Sequence, residues 1–94
     1  MKTLILRNMV ELKKALELSE SRKINFIPTM GNLHDGHFEL IREAKKNRNL
    51  NFVTIYVNPL QFNDIKDFDN YPRSIEKDLK NLTELGVSIV YLPE

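Results

Sequence analysis

Four short stretches rich in β-branched and aromatic residues stand out along the chain: "TLILR" from residue 3, "INFIP" from 24, "FVTIYV" from 52 and "VSIVYL" from 87. Each has the length of a strand and is bounded by polar or turn-forming residues. Between them the apolar period lengthens. Met9, Leu12 and Leu16, then Phe38, Ile41 and Ala44, then Ile75, Leu79, Leu82 and Leu85 recur every three or four positions, the spacing that lines one face of a helix. Strand and helix alternate at roughly thirty-residue intervals, the length of a βαβ unit, and such crossovers join parallel strands with a right-handed turn. The pattern predicts an α/β, Rossmann-like layer: a mainly parallel sheet of about four strands with three helices.

The third helix carries the clearest end signals. Ser74 suits an N-cap, Glu76 puts negative charge in the first turn, and Gly86 stands where a left-handed residue closes a helix. The length suits one domain with one core. The sequence stops at "YLPE", directly after a strand where a loop and another helix would ordinarily follow, so the chain is read as truncated within its domain.

Parallel sheets bind ligands outside the carboxyl ends of their strands, and two segments fall there. The second, "NPLQFNDIKDFDNYPR" at 58–73, is longer than a connection needs, and Phe62, Phe68 and Tyr71 predict that it is ordered. The first, "TMGNLHDGH" at 29–37, places two glycines, two histidines and an aspartate within seven consecutive positions. Gly31 and Gly36 allow unusual backbone angles and close ligand approach, and Asp35 can cap a helix beginning near Gly36 or His37. The free amides and positive pole of that helix end form an anion site for which phosphate is the usual guest. His34 and His37 add ring donors. The helix pole lowers the tendency of His37 to protonate, and a bound polyphosphate raises it again.

Composition narrows the alternatives. Fourteen Lys and Arg against thirteen Asp and Glu leave a formal charge of +1, too little for a nucleic-acid partner held by counterion release. The basic run "REAKKNR" at 42–48 reads as the solvated end of a helix. With no cysteine, a disulfide framework, a thiolate nucleophile and a cysteine zinc site are all excluded. His34 and His37 could offer two zinc ligands, but they are the only histidines and Asp or Glu would have to complete the set, so no metal ligand is assigned. There is no Gly-x-Ser-x-Gly elbow, Gly-x-Gly-x-x-Gly fingerprint or Walker A lysine. No apolar run approaches the roughly 18 to 20 residues of a membrane span, and the opening residues are too short in apolar length for a secretory leader. The expectation is a cytoplasmic protein with no membrane partner.

Three segments, "FIPTMGNLHDGHFELIREAK" at 26–45, "TIYVNPLQF" at 54–62 and "DFDNYPRSIEKDL" at 67–79, resemble in order and spacing the pantothenate synthetase (pantoate–β-alanine ligase) family of the His-x-Gly-His nucleotidyltransferase superfamily. His-x-Gly-His alone is shared with cytidylyltransferases and class I aminoacyl-tRNA synthetases. Pro-Thr-Met-Gly, Val-Asn-Pro-x-Gln-Phe and Tyr-Pro-Arg narrow the resemblance. It runs over nearly all of this chain but only the first third or so of the family's length, which makes 1–94 the N-terminal part of a nucleotide-binding Rossmann-like domain, with the C-terminal domain absent.

The resemblance implies an ATP-dependent ligation of pantoate and β-alanine to pantothenate through a pantoyl adenylate. Met30, Gly31, Asn32, Leu33, His34, Asp35, Gly36 and His37 match the family's ATP-binding loop, with His34 and His37 as the catalytic pair at the phosphates. Gln61 matches the glutamine at pantoate and β-alanine. Phe62 is expected to wall the pantoate pocket, and Tyr71, Pro72 and Arg73 to be structural. Mg²⁺ is expected to arrive bound through the ATP phosphates, and the family is commonly a homodimer. Ser74 replaces the usual threonine and Ile65 a frequent proline. Because closure over the site belongs to the absent part, the isolated chain is expected to have little or no activity. Two alternatives stand beside this: a non-catalytic pantoate- and phosphate-binding module, and another His-x-Gly-His nucleotidyltransferase. The second is disfavoured because the motif there usually follows the first strand.

Overall fold

The computed structural model describes residues 2–19 and 22–93. Four strands, β1 (Leu4–Leu6), β2 (Ile24–Thr29), β3 (Leu50–Ile55) and β4 (Ile89–Tyr91), form one fully parallel sheet in the order β1-β4-β3-β2. Helices α1 (Met9–Leu18), α2 (Asp35–Ala44) and α4 (Ile75–Glu84) are the three predicted ones. A short fourth, α3 (Ile65–Asp69), and a 3₁₀ turn at Pro59–Gln61 lie in the segment expected to be a loop. Each is started by a side chain from within that segment: Asp64 accepts the Lys66 amide at 2.8 Å, and Asn58 accepts the Leu60 amide at 2.9 Å.

The strand pleat divides the core in two. Val53 and Val90 point to one face, where they meet Ile41 of α2 and Leu82 of α4. Phe52 and Ile89 point to the other, where they meet Leu12 and Ala15 of α1. The α1 connection carries the chain from one edge of the sheet to the other, and the two later crossovers bring it back on the opposite face. That is the double winding of a Rossmann-like layer, and it aligns the carboxyl ends of β2, β3 and β4 along one side. Pro28, which has no N–H to give a ladder, is tolerated because β2 is an outermost strand.

Strand β3 begins at Leu50, two residues earlier than the apolar run suggested, because buried Asn51 is paired instead of solvated. Its side chain accepts from Asn25 at 2.8 Å, and its amide donates to the Ser88 hydroxyl at 3.1 Å. At the end of α4, Gly86 has φ +75°, its amide donates to Thr83, and Val87 donates back to Leu82. This pair of bonds is a Schellman closure with glycine at C′, as the sequence indicated. No helix among the described residues is long and apolar enough to cross a membrane.

Candidate active site

Strand β2 runs directly into a turn with two consecutive left-handed residues, Gly31 at φ +79° and Asn32 at φ +51°. Successive residues of this kind aim their N–H groups into one concavity, an arrangement that binds anions. The anion here belongs to the protein. The Asp78 carboxylate, from the first turn of α4 and only 1% exposed, accepts the Asn32 amide at 2.8 Å and the Leu33 amide at 3.0 Å. The Gly31 amide goes to Thr29 Oγ1 at 3.1 Å, while that hydroxyl donates to the Thr54 carbonyl at 2.8 Å. A Cβ on Gly31 would sit 3.1 Å from Ile55 Cγ2 and 3.2 Å from Asp78 Oδ2, so the turn needs glycine for space as well as for φ.

The turn delivers His34 to the start of α2, and His34, not Asp35, is the N-cap. Its extended backbone (φ −136°) lets the ring fold back so that Nδ1 accepts the Gly36 amide at 3.0 Å. His37 Nδ1 in turn accepts the His34 amide at 3.2 Å. Asp35 is the first helical residue and contributes only its charge near the positive pole. A Cβ on Gly36 would lie 2.8 Å from His34 Cε1, so this glycine makes room for an imidazole. The expectation of bare amides at this helix end is narrowed: those of residues 31–34 and 36 are committed inside the protein.

Outward-facing donors come from the rings instead. Both Nδ1 atoms accept, so the proton of each neutral imidazole lies on Nε2. The rings pack at a centroid distance of 4.3 Å, tilted by 56°. Partial burial, then the charge of a protonated His34, lower the proton affinity of His37 below the ordinary imidazole value, and Asp78 opposes them.

His37 and Gln61 line one cleft of about 460 Å³ at the carboxyl ends of β2 and β3, with Met30, Tyr56, Asn58 and Tyr71 among its walls. His34 reaches it only through its contact with His37. A second cavity, of about 200 Å³, adjoins Gly31, Asn32 and the start of α4, and Met30 and Tyr56 border both. Leu33 faces inward as a core residue, and neither Asp35 nor Gly36 lines either cavity. The predicted loop is thus split between cleft-lining and supporting residues.

Phe62 is not part of the cleft wall either. It packs edge-on against Phe68 and Tyr71, with ring centroids 5.7 Å apart in each pair. Arg73 lies over the Phe68 ring at 5.1 Å and donates to the carbonyls of Phe68 at 3.0 Å and Tyr71 at 2.9 Å, which closes α3 and gives the Tyr-Pro-Arg motif its structural part. Ser74 occupies the N-cap position of α4 without capping it, because its hydroxyl donates to Asp78 at 3.3 Å.

Asp78, Thr29 and Tyr56 escaped the sequence reading. For Asp78 a signal existed: it falls three residues after Ile75 and four before Leu82, a charge on the apolar stripe of α4, where an acid is costly unless something meets it. Thr29 and Tyr56 sit at strand ends, and nothing in their spacing separates them from ordinary strand residues.

A family model for pantoate-beta-alanine ligase matches residues 4–94. The pantothenate synthetase of Vibrio parahaemolyticus is 51% identical over 74 residues, covering 79% of this chain and 25% of that protein. A bifunctional pantoate ligase/cytidylate kinase of Prochlorococcus marinus is 48% identical over 94 residues, 99% of this chain and 18% of its own length. Among solved structures, the pantoate-beta-alanine ligase of Francisella tularensis complexed with beta-gamma ATP and beta-alanine superposes with a TM-score of 0.91 at 37% identity, covering 97% of this chain and 35% of that one. The chain spans between about a fifth and about a third of the length of these relatives.

Proposed function

This chain belongs to the pantoate–β-alanine ligase family, and from that premise we propose that it forms the N-terminal part of a nucleotide-binding domain whose whole protein joins pantoate to β-alanine at the expense of ATP. In the first step a pantoate carboxylate oxygen attacks the α-phosphorus of ATP, giving pantoyl adenylate and pyrophosphate. In the second the β-alanine amine attacks the acyl carbon, forming the amide and releasing AMP and a proton.

The observation that carries this reading is that His37 and Gln61 share one cleft, with His34 packed against His37. The Nε2–H groups of the two rings donate to phosphate oxygens, where negative charge accumulates as pyrophosphate departs; a donor held in place for such charge is worth about 3 to 4 kcal/mol in acyl transfer. Gln61 can donate to the pantoate carboxylate and accept from a hydroxyl at the same time. Leaving pyrophosphate needs charge stabilisation more than a proton, so the rings act in this reading as neutral donors. Among the described residues no three His, Asp or Glu side chains converge to hold a metal. In this reading Mg²⁺ enters as part of the MgATP substrate. A homodimer and a cytoplasmic location complete the reading; the exposed outer strand β2, with Phe26 62% accessible, offers surface for association.

Calorimetry of the 94-residue chain with MgATP and, separately, with pantoate tests the assignment. Binding of both is expected, and no heat from either at millimolar concentration would overturn it. A second reading is a binding module that uses the same His37–Gln61 cleft without ligase activity. Release of AMP by the chain when given all three substrates would reject that module.

A further inference from the structure

Among the described residues Asp78 is the one buried acidic side chain, and its partners are unusual for a buried charge. It accepts from two backbone amides and one hydroxyl, and among the described residues no lysine or arginine pairs with it. A carboxylate is retained in such a place only when donors replace its water, and charge-assisted bonds to amides are the stronger kind. Both amides belong to the turn that precedes His34. The turn has two left-handed residues, which alone would leave it with several accessible conformations. With Asn32 and Leu33 pinned from below and the Leu33 side chain in the core, the His34 backbone can leave in one direction only. The two imidazoles then fix each other through their Nδ1 atoms.

We infer that Asp78 is a positioning residue for the histidine pair: its carboxylate fills the anion-binding concavity of the turn, holds His34 at the N-cap, and so presents both Nε2–H groups to a polyphosphate that the turn itself cannot accept. The part concerning polyphosphate rests on the function proposed above; the part concerning the rings does not. Phosphate is directed away from the Asn32 and Leu33 amides because a carboxylate already occupies them, and towards the ring Nε2–H groups, which the Nδ1 contacts leave uncommitted. The partial burial of His37 and its neighbour His34 disfavour a second ring proton, while the Asp78 charge moderates this, so the carboxylate also reaches the pair through space.

The test is Asp78→Asn in the 94-residue chain labelled with ¹⁵N. The variant keeps the shape but can offer an oxygen to only one of the two amides. Imidazole ¹H–¹⁵N spectra should show both wild-type rings protonated at Nε2. In the folded variant that preference should be lost at His34, the His37 titration should move further down, and MgATP affinity should fall by tenfold or more. A folded Asp78→Asn chain with unchanged ring tautomers, His37 titration and MgATP affinity overturns the inference, because a merely structural acid would alter stability alone. Should the variant not fold, Ser74→Ala removes only the hydroxyl donor to the same carboxylate: displaced ring resonances then support the role, and unmoved ones reject it. Wild-type rings protonated at Nδ1 also overturn it. A wild-type chain that binds no MgATP defeats the proposed function, yet the ring spectra still decide the role of Asp78.

Discussion

His34 and His37 are each other's support: the backbone N–H of His34 is held by the ring of His37, while the ring of His34 caps the helix that carries His37. A proton on either Nδ1 would put a donor against a donor. The unfolded chain has no such restriction and takes up protons below about pH 6.5. Because the folded state holds the His37 proton affinity down, chiefly by burial and then by His34, the unfolded state binds more protons in that range and stability falls with pH.

The urea midpoint should therefore drop between about pH 7.5 and 5.5 and be nearly level above that window. His37→Asn, whose Oδ1 can take the place of Nδ1 as acceptor, should flatten the dependence. A wild-type midpoint that does not move between those two conditions contradicts the shared cap.

Gln61 and His34 should separate the two ligands. Gln61→Ala is expected to weaken pantoate by roughly tenfold, the value of one hydrogen bond to a charged group, with little change for MgATP. His34→Ala should do the reverse. Titration calorimetry on both variants checks the pair, and an inverted pattern would reassign the roles.

Gly31→Ala meets a positive φ and two tight contacts together. The left-handed conformation alone costs a residue with a Cβ about 1 to 2 kcal/mol, and neither Ile55 nor Asp78 can retreat, since both are buried. A loss of about 2 kcal/mol in chemical denaturation is expected. A variant as stable as the wild type would mean that the turn can be rebuilt.

Gly36→Ala should behave differently. Alanine is favoured over glycine in a helix by about 0.8 to 1 kcal/mol, but its Cβ would displace the His34 ring and sacrifice a cap worth about 1 kcal/mol. The two nearly cancel in stability. Nucleotide affinity should still fall, because the His34 ring has been moved; unchanged affinity would show that this ring is not needed.

The parts of the fold that were legible in the sequence are those set by period. Alternating apolar runs gave all four strands and three helices, and Gly86 marked the end of α4 because only a left-handed residue closes a helix that way. What stayed hidden depended on pairing across distance. Asp35 is a better cap than histidine by general preference, yet His34 has the ring geometry and the partner three residues on. Ser74 likewise looks like a cap but is drawn to Asp78. In the segment 58–73 the aromatic trio already indicated order, but with no apolar period its short helix and the Arg73 bonds to carbonyls were not displayed by any local pattern. At the site, residue types announced the histidines and the family resemblance alone pointed to Gln61, while the acid that holds the turn was concealed inside a helical stripe.

The pairing of β1 with β4, Leu4 opposite Ile89, has a consequence for synthesis. On the ribosome β1 emerges without its neighbour, and α1 without the Ile89 contact on which it rests, until β4 has followed them out. The β2-α2-β3 unit can assemble before then, since its contacts are short in sequence. Until β4 forms, the nascent chain thus carries β1 and α1 as an unattached apolar segment, the interval in which chaperone capture or pairing with another exposed edge competes with folding.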